Sequence, residues 1–430
     1  MRRYIRYGIS AEKETLAQEA NSYHGLVIPA HLAADQSESL PSFLRRLGKP
    51  YFVDPMTFAF AIPGADLSNS SGDGLKRSYS KLVSRYRWPR QIDFISEQVT
   101  LSDFEESPIG LESSMEEFVG SVLQLQLSLS TLDVDTRRYA ELALEFGREL
   151  FPSRDVVPIP EHLIAPYFFF SDYEDSAYQL TLLAARKAVE LSQGRSVLSV
   201  LAASPGFLAR EDFRRLADDF HFARGVVIWA DSFNDQACGE RELSAFRKLI
   251  RALSKGREVL NLYGGRFSIL LGPEGLAGYS SGMCYGESKV QIATSGGVIP
   301  PRYYASPAMT KLTQADTLRF LKKHGDVCKC TVCQATLSEI GGKTPGWPDR
   351  FVRSLFPPKG EGRGEADVRL KRHFLLSSAQ EQVLFEGMTT GRAIEEIHVR
   401  AERLRSVDPA FFNTKSSFLL KWERALQTAT

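Results

Sequence analysis

From residue 160 onward, short apolar runs alternate with amphipathic stretches. Runs at 163–170 (LIAPYFFF), 197–203, 226–230 and 259–263 each precede a helical pattern, at 175–193, 211–222, 240–254 and 267–271 respectively. A last short run, 283–285, ends in Gly286-Glu287-Ser288. Apolar segments of about four to eight residues alternating with helices predict βα units and a parallel sheet. Upstream, 26–29 and 51–53 predict two more strands joined by a helix at 42–47, and an edge strand near 4–9 brings the total to eight. Eight parallel strands predict a (β/α)8 barrel, whose functional groups lie on the loops after the strand C-termini. An open doubly wound sheet would carry a glycine-rich phosphate loop after its first strand, and the sequence has none there.

Residues 70–158 break the alternation: a serine- and glycine-rich piece, a basic stretch and a long amphipathic run at 115–146 predict a helical insertion on the catalytic face of the barrel. Residues 341–366, rich in glycine, proline and charge, predict a long loop, and 383–427 a helical tail broken at Gly387 and Gly391. The chain thus divides into a barrel start (1–69), an insertion (70–158), the barrel remainder (159–305) and a C-terminal region (306–430).

The 430 residues carry a net charge of +1, so any attraction to a polyanion must come from a local patch. There is no apolar run long enough to span a bilayer, and Met-Arg-Arg-Tyr-Ile-Arg lacks the apolar core of a signal peptide. Cys238 and Cys284 stand apart from the other cysteines, so no disulfide framework is visible. A soluble cytoplasmic protein is the expectation.

The remaining three of the five cysteines form Cys328-Lys-Cys330-Thr-Val-Cys333. This spacing lets three thiolates converge on one Zn2+, and one nitrogen ligand would close a tetrahedron that serves structure rather than chemistry. Two histidines are available for that position. His373 lies in an apolar helical run, and His324 lies nearer but at the end of a predicted helix, where it is placed to cap it.

Carboxylates follow several predicted strands: Asp54, Asp172 with Asp175, Asp231 and Glu287. Gathered in one bowl, two of them can divide into nucleophile and general base; singly, each can equally cap the next helix, except that Asp54 is followed by Pro-Met-Thr-Phe and not by a clear helix. From 76 to 90 there are six basic residues (Lys76, Arg77, Lys81, Arg85, Arg87, Arg90), no acidic ones, and interleaved Tyr79, Tyr86 and Trp88. Such a stretch either meets phosphates and bases or is a solvated helix whose rings pack on the barrel.

A barrel, strand-end aspartates and a late C-x-C-x-x-C followed by Arg372-His373-Phe374-Leu375 resemble the tRNA-guanine transglycosylases. The resemblance spans roughly residues 20–400 in architecture and a few motifs, and it implies Cys328, Cys330, Cys333 and His373 as ligands of a structural zinc. Asp54-Pro-Met-Thr-Phe58 stands where the family has its Asp-Ser-Gly-Gly-Phe-Gln general base, and Asp172 where it recognises the base. The family's nucleophile lies in Phe-Asp-Cys after the last strand. Here that region reads Gly-Met-Cys-Tyr-Gly-Glu287, which leaves Asp231 and Glu287 as replacements. The family's base-pocket motifs are replaced by Ala-Ser204-Pro-Gly and Trp229-Ala-Asp231-Ser.

These departures look most like the branch acting on DNA, the DNA-guanine transglycosylases of 7-deazaguanine modification clusters. The absence of a PUA-type RNA-binding domain after the zinc region points the same way. The resemblance then implies that guanine in DNA is exchanged for preQ0 or a related 7-deazaguanine, through base flipping and a covalent sugar–carboxylate ester. Alternatives are a tRNA-directed enzyme and a catalytically inactive nucleic-acid-binding barrel. It further implies an ATPase partner to open the duplex, since the chain has no P-loop, and a homodimer paired through the zinc region.

Overall fold

The computed structural model describes residues 1–62, 67–69, 71–72, 74–90, 99–130, 159–208, 213–283, 287–290, 300–358 and 362–428. Eight strands make one sheet: β1 (Arg2–Arg6), β2 (Gly25–Pro29), β3 (Tyr51–Asp54), β4 (Leu163–Ile164), β5 (Val197–Ala203), β6 (Gly225–Ala230), β7 (Glu258–Asn261) and β8 (Gly278–Ser281). Their order is β3-β2-β1-β8-β7-β6-β5-β4 and every neighbouring pair is parallel. The sheet curls until β3 and β4 nearly meet, giving the (β/α)8 barrel. β2, β5 and β6 are buried along their whole length, as parallel strands covered on both faces must be.

One backbone bond and the side chains of Thr57 and Gln126 seal the seam between β3 and β4. Glu161 N–H donates to the Tyr51 carbonyl at 2.7 Å. Thr57 Oγ1 accepts from Tyr167 N–H at 2.8 Å and donates to Tyr167 O at 2.6 Å. Ile164 is satisfied by Gln126, fully buried in the helix Gly110–Ser128 of the insertion: its amide donates to Ile164 O at 2.7 Å and accepts from Ile164 N–H at 2.8 Å. The amide thus imitates a neighbouring strand.

Several elements depart from the pattern. The fourth strand stops at Ile164 because Pro166 follows, and Tyr167–Phe170 keep only a single bridge from Phe170 to Ala203. The eighth strand is Gly278–Ser281, not 283–285; with one glycine and two serines it shows no apolar run, and 284–286 lie outside the described residues. The first strand ends at Arg6 and sits inside the sheet between β2 and β8. The expected loop at 341–366 contains a helix, Trp347–Leu355, with Phe351, Val352 and Leu355 buried at helical spacing; a second helix, Arg363–Phe385, starts before it ends. Gly387 breaks the tail at φ 79°, whereas Gly391 lies in the first turn of Thr390–Val407. Of the amphipathic run at 115–146, the part beyond residue 130 lies outside the described residues.

A hairpin of β9 (Tyr303–Ala305) and β10 (Thr310–Leu312) links the barrel to the C-terminal helices, and one hydrophobic core runs through both.

Candidate active site and metal centre

Alternate residues of β1 point to the barrel axis. At its base Arg2 pairs with Glu161 (2.9 Å) and Glu258, and Tyr4 donates to Glu161 at 2.7 Å. At the C-terminal mouth Arg6 Nη2 donates to Asp54 Oδ2 at 3.3 Å. Asp54, the last residue of β3, is buried, and its Oδ1 accepts from Tyr167 O–H at 2.8 Å and Met56 N–H at 3.2 Å. No helix starts at this carboxylate; Met56 turns the chain at φ 54° into the short helix Thr57–Phe60. Around it stand Phe58, Tyr167, Trp229 and Tyr263, with Phe58 4.6 Å from Trp229 and 5.4 Å from Tyr167 between ring centroids, and Trp229 5.7 Å from Tyr263. Arg6 lies 4.1 Å above the Tyr263 ring, and its Nη1 is buried without an acceptor among the described residues.

Two further cations or bases complete the cup. Lys289, half-buried, donates to Tyr263 Oη at 2.9 Å. Burial, reinforced by the charge of Arg6 and opposed by that of Asp54, pushes its ammonium down to about 7. His31 stacks on Tyr79 at 5.0 Å and is pushed down to about 4 by burial and by the charge of Lys289. Arg6, His31, Tyr167, Tyr263 and Lys289 were not singled out by sequence. Arg6 leaves a faint signal as a charge inside a strand; Lys289 leaves none.

The other strand-end carboxylates sit in different surroundings. Asp231, after β6, lines a cavity of about 450 Å³ with Phe168, Phe169 and Ser204, and an apolar one of about 160 Å³ with Phe233 and Cys238. Phe169 lies 5.7 Å from Trp229, so the larger cavity abuts the aromatic wall of the cup. Ser204 Oγ accepts from Phe207 N–H at 3.2 Å. Asp172 accepts from Glu174 N–H at 3.3 Å in a local turn, and Asp175 caps the helix Ser176–Leu191 through Ala177 N–H at 3.0 Å. Glu287 turns away from the cup to pair with Arg266 at 3.5 Å and Lys311 at 3.3 Å. These cations outweigh the effect of its burial and hold its carboxyl below the usual range.

The basic stretch forms a helix, Arg77–Arg85, and a non-helical segment after it, with Tyr79, Tyr86 and Trp88 packed on other rings. Tyr86 donates to the Pro55 carbonyl at 2.9 Å, and Trp88 packs on Phe60 and Phe118. Those rings are therefore not presented for stacking on bases. Lys76, Arg77, Arg85, Arg87 and Arg90 are exposed. Lys81 pairs with Asp35 at 2.8 Å, and Arg90 with Asp103 at 2.5 Å.

Cys328, Cys330, Cys333 and His373 come together with all ligand atoms within 4.8 Å of one another and can hold a metal ion. The tetrahedral edge for sulfur ligands about 2.3 Å from a zinc is roughly 3.8 Å, within this spread. Cys330 caps the helix Thr331–Glu339; its N–H donates to Cys328 Sγ at 3.3 Å, and Cys333 N–H donates to Cys330 Sγ at 3.4 Å. His373 is fully buried, stacked 4.3 Å from Tyr303 with planes 7° apart, and its Nε2–H donates to Tyr304 O at 2.7 Å. That bond fixes the tautomer and leaves the Nδ1 lone pair facing the sulfurs, 3.3 Å from Cys330 and Cys333. Ser377 Oγ lies 3.0 Å from Nδ1 and 3.1 Å from Cys328 Sγ. His324 ends the helix Gln314–His324, stacked 4.6 Å from Phe320, and is not among the four ligands.

Neither a family model nor a curated protein matches this chain. Among the described residues no helix is long and apolar enough to cross a membrane.

Proposed function

We propose that the protein is a base-exchange transglycosylase that replaces guanine in DNA with a 7-deazaguanine such as preQ0. The observation that carries this reading is the clamp of the basic helix onto the Asp54 turn, through Tyr86 O–H and the Pro55 carbonyl. It brings exposed cations to the rim of a cup that holds a buried carboxylate and aromatic walls, so phosphates are gathered beside a group able to act at a glycosidic carbon. The unsatisfied Arg6 Nη1 supports a ligand in the cup, because an unmet buried donor costs about 1–3 kcal/mol and a base or sugar oxygen would satisfy it.

In this reading the target guanosine is flipped out of its stack. Asp231, beside the larger cavity, attacks C1′ to form the sugar ester, and Asp54 steers the incoming base. Glu287 is committed to Arg266 and Lys311 and takes no part. Cys328, Cys330, Cys333 and His373 would hold a zinc ion, a four-ligand set that would serve the structure of the lobe beside the barrel.

Incubation with radiolabelled guanine or preQ0 and either plasmid DNA or tRNA tests the proposal. Label entering DNA, and lost in Asp54→Ala and Asp231→Ala, supports it. Label entering tRNA alone moves the substrate to RNA, and label entering neither overturns base exchange.

A further inference from the structure

The loop after β8 sends two charged side chains in opposite directions. Glu287 goes outward to Arg266 and Lys311, while Lys289 enters the cup. The Lys289 ammonium lies 4.2 Å from the centroid of Phe58, 5.0 Å from Trp229 and 5.1 Å from Tyr263. Its main chain is anchored as firmly: Lys289 O accepts from Ser232 N–H at 2.9 Å and from Trp229 Nε1–H at 3.4 Å. The loop after β8 is thereby tied to the loop after β6, and the amine is delivered among groups from other strands. Those facing it are Arg6 from β1, Asp54 from β3 and Tyr263 after β7, with His31 from the helix Ala30–Asp35 at the rim. Tyr167 and Tyr79 border the same carboxylate and imidazole. Asp54 and Arg6 act on the ammonium in opposite directions. Burial then dominates, so Lys289 changes protonation near neutral pH, whereas His31 is already neutral there.

We propose that Lys289 is the general acid and base of the exchange, protonating guanine as it leaves and accepting the proton of the base that enters. The inference rests on the base-exchange reading. In the first half, C1′–N9 breaks with its electron pair going to guanine, a carboxylate oxygen bonds to C1′, and the ammonium gives a proton to the departing base. In the second half, the amine takes the N9 proton of the incoming 7-deazaguanine and N9 bonds to C1′. The ester C1′–O bond breaks as N9 attacks, with its pair returning to the carboxylate. The enzyme ends as it began. A group that titrates near the working pH serves both directions.

Three variants of the whole protein and one chemical probe test this. Lys289→Ala loses about 10²–10⁴-fold in exchange rate. Lys289→Arg stays near the alanine level, since guanidinium keeps the charge and cannot release a proton at neutral pH. In both, the limb of the rate–pH profile near pH 7 disappears. In the unmodified protein, reductive methylation of Lys289 read by mass spectrometry reaches half-extent near pH 7, and Asp54→Asn moves that midpoint lower. Restoration of wild-type rate and pH profile by Lys289→Arg, or methylation confined to alkaline pH, overturns the role of Lys289 while leaving base exchange standing. A wild-type protein that incorporates no labelled base into nucleic acid overturns base exchange, and the role falls with it.

Discussion

Ser377→Ala changes one hydroxyl beside the metal site and none of the four ligands. With neutral His373 donating from Nε2 to Tyr304 O, its Nδ1 is an acceptor, and in the metal-free protein the hydroxyl 3.0 Å away can donate to it. When an ion takes the Nδ1 lone pair, the hydroxyl proton is free to turn to Cys328 Sγ at 3.1 Å, by then a thiolate. Metal binding thus exchanges a neutral hydrogen bond, worth about 0.5–1.5 kcal/mol, for one to a charged acceptor, worth about 1.5–3 kcal/mol. The difference of about 1–1.5 kcal/mol predicts a zinc affinity weakened roughly 5–13-fold in Ser377→Ala. Competition against a chromophoric chelator measures it, with Cys330→Ser as the variant that abolishes binding. An affinity within twofold of wild type, or a loss as complete as that of Cys330→Ser, refutes the reasoning.

Other consequences are as direct. Thr57→Val removes both hydrogen bonds to Tyr167 at nearly constant volume and leaves a buried N–H and C=O unmet, a loss of roughly 2–6 kcal/mol in denaturant unfolding. Burial and the charge of Glu287 raise the Asp235 carboxyl to about 7 despite its bond from Phe267 N–H at 2.7 Å. Its folded value lies above its unfolded one, so its contribution is complete below about pH 4 and is lost as pH rises to 7. Thermal melts of Asp235→Asn are therefore flatter from pH 4 to 7 than those of wild type, and parallel slopes would exclude this. Arg85→Glu with Arg87→Glu lowers DNA affinity and reduces the salt slope by about 2 if both meet phosphates; binding titrations at several salt concentrations decide.

The barrel was legible because its central strands are largely apolar runs, unbroken at 226–230, set between helices with a clear apolar face. Gly278–Ser281 was not: its serines are buried in the folded barrel, where Ser280 donates to Leu262 O, a tertiary fact without local periodicity. The metal centre was legible because core packing alone does not call for three cysteines within six residues, and His373 because its neighbours read as a buried helix. What selects His373 over His324, the Tyr304 carbonyl and the Tyr303 ring, comes from a hairpin some 70 residues away. Asp54 was visible as a strand-end acid with no helix to cap. Its partners Arg6, Tyr263 and Lys289 converge from β1, β7 and the loop after β8, and only barrel closure brings them together.

Gln126 gives the seam a further meaning. A glutamine amide standing in for a ninth strand makes the insertion a stave of the barrel, not an ornament hung upon it. Any motion of that helix must tug on Ile164 and, three residues along the chain, on Tyr167, the hydroxyl that steadies Asp54. Whatever docks on the outer side of the insertion therefore has a mechanical handle on that buried carboxylate, and excising the segment would unzip the cylinder along this seam.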